Sequence, residues 1–270
     1  MTAEPHVPSY WAETAGPEPA GTPTLAADRR ADVAVIGGGY TGLAAAYRLA
    51  GTHGLDTVVL EANRIGWGAS GRNGGFALIT MGKVPLDERI RHWGVDAARR
   101  SIALGIEAVE TVRDFITREQ IACDAQPDGS FLVAHRADMT ATLQERARLY
   151  REVIGYAGVE YFDGPRLERE GLLRGAEAHG ALRTRDAFGL HPMKYVRGLA
   201  RAAQRRGARR RPGIARRASR RAARAVTTCS SRRAAPCARA KSSWRPTATR
   251  PKVCTPSFTD APCPPRATSS

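Results

Sequence analysis

Gly37-Gly38-Gly39-Tyr40-Thr41-Gly42 stands directly behind the apolar run Val33-Ala34-Val35-Ile36 and in front of Leu43-Ala44-Ala45-Ala46-Tyr47. A buried strand, a glycine turn and an apolar helix in that order commit the chain to an α/β fold with a parallel sheet. Each glycine has a mechanical task. Gly37 permits the tight turn, Gly39 lets backbone approach a pyrophosphate, and Gly42 lets the helix lie close to the strand. The helix N-terminus, where Tyr40 and Thr41 fall, offers free N–H groups and a partial positive charge to phosphate. A second strand, Thr57-Val58-Val59-Leu60, ends in Glu61, whose carboxylate suits the hydroxyls of a ribose. Strand, turn, helix, strand and acid together predict a dinucleotide site.

The segment after Glu61 bears on which dinucleotide is bound. From Ala62 to Phe76 it reads ANRIGWGASGRNGGF, with five glycines between Gly66 and Gly75. Each glycine inside a helix costs about 1 kcal/mol relative to alanine, so this stretch reads as a loop laid on a large polar ligand. The strand–GxGxxG–helix unit, the E-A-x-x-I-G-x-G-A-S run and the R-N-G-G continuation resemble FAD-dependent oxidoreductases of the D-amino-acid-oxidase type. The γ-glutamylputrescine oxidoreductase-like subgroup is the most similar in appearance, and its upstream Ser-Tyr-Trp segment is matched by Ser9-Tyr10-Trp11. The resemblance implies FAD as cofactor. Gly37, Gly39, Tyr40, Thr41, Gly42, Glu61 and Ala62 would then hold its ADP half, and Gly68, Ala69, Ser70, Arg72, Asn73, Gly74 and Gly75 its flavin half. Arg72 reads equally as a surface charge. The implied fold is a Rossmann-like FAD-binding domain interrupted by an α+β substrate domain and incomplete at the C-terminus. The implied reaction oxidises the C–N bond of a small amine or amino acid, with hydride passing to flavin N5 and an imine as product.

Charge divides the chain in two. The formal net charge is +16, yet residues 208–270 hold 16 of the 42 Lys and Arg against one acid, Asp260. The remaining 26 basic and 25 acidic residues make 1–207 an ordinary near-neutral sequence. The last 63 residues show no sustained apolar period and read as a disordered low-complexity tail. One reading is a basic arm for nucleic acid. The other is a reading-frame error in a GC-rich gene. Reading the codons of Lys241–Pro256 from their third bases permits V-V-L-A-T-N-G-Y-T-x-E-G-L-H-P, similar to the returning strand and Asn-Gly-Tyr turn of these flavoproteins. The frameshift reading is preferred, which argues against a nucleic-acid partner and predicts a truncated form with weak FAD retention and no turnover. Cys229, Cys237, Cys254 and Cys263 lie in this tail without any C-x-x-C spacing, so no metal site is expected. Cys123 reads as a small core residue, in keeping with a reduced, cytoplasmic setting.

The remaining segments read as scaffold. Residues 1–30 form an N-terminal arm with neither signal-peptide nor membrane-span character, and Ser9-Tyr10-Trp11 either fold over the flavin domain or stay loose. The first part of the FAD domain spans 31–119, a partial substrate domain 120–190, and a returning helix 191–207. Apolar spacing predicts a helix over 95–120, a strand over 129–135, a helix over 140–155, a short strand over 181–184 and a helix from Met193 to Gln204. Catalytic residues stay unassigned: His135 and His191 are the tempting candidates, and both read first as structural. An NAD-dependent dehydrogenase is the nearest enzyme alternative, disfavoured by the glycine-rich loop.

Overall fold

The computed structural model describes residues 5–19, 31–80, 82–172 and 177–212. The arm begins with α1 (Tyr10–Thr14), whose first turn is capped by Ser9 accepting from the Ala12 N–H at 3.2 Å. The glycine motif then behaves as its spacing requires. β1 (Val33–Ile36) runs through Gly37–Gly39 into α2 (Tyr40–Gly51), and β2 (Thr57–Glu61) returns parallel to β1 with Val33 opposite Thr57 and Ile36 opposite Leu60. Leu43, Ala46 and Tyr47 form the buried stripe of α2. Burying a side chain such as Leu43 or Val59 contributes about 1.5–3 kcal/mol, which ties helix to sheet.

After the glycine-rich loop, β3 (Phe76–Ala77) leads the chain away from the parallel sheet. The long α3 (Leu86–Arg118) begins nine residues before the position expected from periodicity and breaks at Gly94, whose φ is 80°. β4 (Ser130–Ala134) follows, then α4 (Thr140–Arg148). The expected helix over 140–155 changes register here: Leu149–Ile154 widen to a π turn, closed by left-handed Gly155. β5 (Val159–Asp163) runs into α5 (Gly164–Arg169), with Asp163 capping the Arg166 N–H at 2.7 Å. β6 (Gly180–Thr184) pairs antiparallel with both β4 and β5, giving a separate sheet of order β4-β6-β5. Phe162, Leu167 and Ala181 make the small core beneath it.

β7 (Phe188–Gly189) pairs antiparallel with β3, so the excursion leaves and returns through a two-stranded neck. Next comes α6 (Pro192–Arg205), packed on α2, and then β8 (Arg209–Pro212). β8 joins the parallel sheet beside β2, giving the order β1-β2-β8, with Arg209 paired to Asp56. Composition placed residues 209–212 in the disordered tail; pairing with β2 instead makes them the third parallel strand, because backbone hydrogen bonds to a neighbouring strand need no apolar side chains. The frameshift reading and the four tail cysteines concern residues outside the described ones. No described helix is long and apolar enough to cross a membrane.

Candidate cofactor site

The turn between β1 and α2 is built around two glycines that no other residue replaces. Gly37 has φ 102°, and its N–H donates to the Leu60 carbonyl at 2.8 Å, so the turn is stitched to the end of β2. A Cβ on Gly42 would lie 2.1 Å from the Gly37 carbonyl oxygen and 3.2 Å from Val35 Cγ1. That close approach seats the helix N-terminus over the strand ends.

Glu61 ties the two strands together. Its Oε2 accepts from the Gly38 N–H at 2.5 Å and its Oε1 from the Asn63 N–H at 2.9 Å. Each carboxylate oxygen keeps further acceptor capacity beyond these bonds. Ala62 is half-buried beside it.

Ser70 comes back from the loop to the helix start. Gly39, the N-cap residue of α2, brings no side chain to the helix, and the Tyr40 N–H donates instead to Ser70 Oγ at 3.0 Å. A Cβ on Gly39 would stand 2.8 Å from that oxygen. Thr41, Gly68 and Ala69 are exposed around this point, and a Cβ on Gly68 would meet nothing within 4 Å. The N-terminus of α2 is therefore ringed by small residues and backbone donors.

Asn73 shapes the rest of the loop. Its Nδ2 donates to Ala69 O at 3.1 Å, Ser70 O at 3.2 Å and Tyr40 Oη at 3.3 Å, while its Oδ1 accepts from the Gly75 N–H at 2.9 Å. Tyr40 in turn donates to the Pro192 carbonyl at 3.2 Å, linking α2, loop and α6; burial pushes its phenol up to about 12. Gly75 has φ 75°, and a Cβ there would lie 2.4 Å from the Leu190 carbonyl oxygen. Gly74 is exposed ahead of it. Arg72 is exposed too, with its guanidinium 4.3 Å from the Trp67 ring centroid, a stacking contact within the loop itself.

Residues that pattern reading left among the scaffold also shape the site. The arm folds onto the loop: Trp11 packs edge-on against His191 with ring centroids 4.8 Å apart, and a Cβ on Gly75 would meet its ring at 3.5 Å. His191 caps α6, its Nδ1 accepting from the Lys194 N–H at 3.1 Å while Nε2 meets Thr14 Oγ1 at 2.9 Å. With Nδ1 an acceptor, the proton sits on Nε2, and burial followed by the Lys194 charge lowers the imidazole pKa. His135 is exposed after β4. Cys123 is buried, and burial raises its thiol to about 11, the state of an unreactive core residue. Among the described residues no three His, Cys, Asp or Glu cluster as a metal site would require.

Residues 32–241 match the family model described as FAD dependent oxidoreductase. The chain is 39% identical over 204 residues to gamma-glutamylputrescine oxidoreductase of Escherichia coli strain K12, an alignment covering 76% of this chain and 46% of that protein. It spans about half the length of the curated relatives it matches. Among solved structures, an L-amino acid deaminase from Proteus vulgaris shares the fold with a TM-score of 0.58 at 20% identity, over 77% of this chain and 50% of the other. Glycine oxidase from Geobacillus kaustophilus does so with a TM-score of 0.51 at 22% identity, over 69% and 47%.

Proposed function

Because the chain belongs to the FAD dependent oxidoreductase family, we propose that the β1–α2 turn and the loop over residues 61–75 form the cradle of its FAD. The observation that carries this reading is a helix start lined by glycines and a serine hydroxyl. Gly39 caps α2 without a side chain, Gly68 faces open space, and Ser70 supplies a hydroxyl at the Tyr40 N–H. A pyrophosphate fits such a place, since it accepts from backbone N–H groups and is favoured by the helix dipole. Glu61 would take the adenosine ribose, its position fixed by Gly38 and Asn63. Asn73 and Tyr40 would hold the Gly74-Gly75 backbone to the flavin.

The reaction we assign is oxidation of a C–N bond in a small amine or amino acid. Bound FAD supplies the two-electron acceptor for that step, with an imine as product. The chain's own part is to position and shield. Asn73 fixes the loop by four hydrogen bonds, and the arm's Trp11 and α6 cover it from outside. Naming of gamma-glutamylputrescine oxidoreductase, L-amino acid deaminase and glycine oxidase among similar proteins supports an amine or amino-acid substrate. The deciding experiment adds FAD to the purified chain, desalts it and records the visible spectrum. Retained flavin bands support the cradle. A chain that excess FAD does not protect against thermal unfolding, or one that NAD protects and FAD does not, would overturn it.

A further inference from the structure

Histidine is divided sharply between surface and interior in this chain. There are six, and His53, His92, His135 and His179 are exposed. The other two are covered, His191 at 3% exposure and the His6 side chain at 10%. Both lie where the N-terminal arm meets the rest of the protein, one at each end of the contact.

At one end α1 sits on the cap of α6. Trp11 packs on the His191 ring, the Tyr10 ring lies 6.2 Å from it, and Thr14 Oγ1 meets Nε2 at 2.9 Å. Nδ1 accepts from the Lys194 N–H at 3.1 Å, so the docked ring is neutral and carries its proton on Nε2. A second proton must go on Nδ1, where it would set two N–H donors face to face. Burial opposes that proton, as do the charges of Lys194 and, more weakly, Arg197, while Asp124 attracts it. Asp124 is already held by Lys194 Nζ at 2.7 Å.

At the other end the Pro5 carbonyl accepts from Trp67 Nε1 at 3.0 Å, which seats His6 beside the loop. Neither ring nitrogen of His6 has a hydrogen-bond partner among the described residues. Glu18 Oε1 comes within 3.4 Å of Nε2, yet the same oxygen serves Arg64 Nη1 at 3.1 Å and Arg197 Nη2 at 3.8 Å. Burial disfavours a proton on His6 more than Glu18 favours it, and Arg197, Arg64 and Arg72 add their repulsion. Both ends of the contact are thus built for an uncharged imidazole.

We propose that His6 and His191 make the N-terminal arm a proton-released strap, docked on the loop and on α6 while both rings are neutral and let go in mild acid. Release gives each ring to water, where it takes a proton near its ordinary pKa of 6.5. Docking is therefore strongest above pH 6.5. Below that, each histidine lowers the docking constant by up to about tenfold per pH unit, until the pH reaches the ring's lower docked value. Two histidines acting together make the release up to about a hundredfold per unit, steeper than either alone. The strap belongs to the arm contact and does not depend on whether the loop holds FAD.

Tryptophan fluorescence of the full chain tests this. Trp93→Phe and Trp244→Phe leave Trp11 and Trp67, the two tryptophans of the arm contact; Trp93 is 62% exposed, and Trp244 lies outside the described residues. Quenching by acrylamide, which carries no charge, is followed from about pH 8 to about pH 5 alongside far-ultraviolet circular dichroism. Quenching should rise below pH 6.5 while the dichroism holds. His191→Asn keeps a side-chain oxygen for the Lys194 N–H but cannot titrate, and His6→Gln cannot titrate either. Each should make the transition shallower, and the two together should abolish it. His92→Asn, at an exposed position, should leave the curve unchanged. Quenching indifferent to pH, or a transition that persists in the double variant, would overturn the proposal. Dichroism lost in step with the quenching would overturn it too, since the whole fold would then be opening. If the double variant is already open at the alkaline end, the single variants decide, and unchanged steepness in both refutes the strap.

Discussion

Gly42→Ala and Gly68→Ala should separate architecture from ligand contact within one motif. At Gly42 the new methyl would sit 2.1 Å from the Gly37 carbonyl oxygen, against 3.4 Å for ordinary contact, so α2 or the turn must move by about 1.3 Å. Both obstructing groups, the Gly37 carbonyl and Val35, are anchored in the turn and β1, so little can give. Overpacking costs about 1–3 kcal/mol, and against two anchored groups the upper part of that range, about 2–3 kcal/mol, applies; alanine's better helix propensity returns about 1 kcal/mol, leaving a net loss of about 1–2 kcal/mol. For a chain of this size that is a fall of roughly 2–8 °C in melting temperature. At Gly68 the methyl meets nothing within 4 Å and φ is −80°, a conformation alanine adopts freely. There the ligand-free chain should be as stable as wild type or gain about 0.4–1 kcal/mol. If FAD backbone contact is the reason for Gly68, its affinity should drop about tenfold, or about 1.4 kcal/mol. Thermal unfolding of each variant, with and without FAD, reads both effects. A Gly42→Ala melting point within about 1 °C of wild type would refute the packing argument. Unchanged FAD affinity in Gly68→Ala would remove that residue from the cradle.

Three further outcomes follow from bonds around the site. Tyr40→Phe removes the hydroxyl joining Asn73 to the Pro192 carbonyl and should cost about 1 kcal/mol in urea unfolding, with weaker FAD retention because Asn73 loses one of its anchors. Glu119 accepts from Tyr47 Oη at 2.6 Å and Arg205 Nη2 at 2.8 Å, which lowers its pKa from 4.5, the Tyr47 bond contributing most. Its contribution to stability is complete above pH 4.5 and lost as pH falls through the lowered native value, so Glu119→Gln should flatten the acid limb of a stability–pH curve. Burial, followed by the Lys194 charge and more weakly by Arg197, lowers the pKa of His191 below 6.5 against the opposing pull of Asp124. The contribution of His191 is complete above pH 6.5 and lost as pH drops through that lower value. His191→Ala should therefore cost about 0.5–2 kcal/mol near neutrality, as a lost helix cap, and should remove that part of the pH dependence.

What was legible in the chain was local. Gly37 and Gly42 declare themselves because one turn and one close approach admit nothing else, and both constraints lie within ten residues of each other. Helices with a strong apolar stripe, such as α6, are equally plain: Met193, Val196, Leu199 and Ala203 repeat at helical spacing and are buried together. Two-residue strands such as β3 and β7 carry no period at all, and their pairing depends on a partner more than a hundred residues away. The widening at Leu149–Ile154 leaves the apolar spacing nearly helical, so the sequence there reads as a continuous helix.

Ser70, Asn73 and His191 show why sites are harder to read than folds. A loop rich in glycine announced a ligand but not the geometry. Ser70 acts at a helix start thirty residues upstream, and Asn73 acts largely on backbone, so neither role has a spacing rule. His191 reads structurally beside Pro192, yet its second nitrogen reaches Thr14, on an arm that composition alone left either folded or loose. That bond places α1: an arm held by His191, by Trp11 packed on it and by the 3.1 Å pair of Glu18 with Arg64 is part of the wall around the loop. Its removal should therefore loosen the start of α6, since Trp11 packs on its cap and Thr14 bonds that cap's second nitrogen.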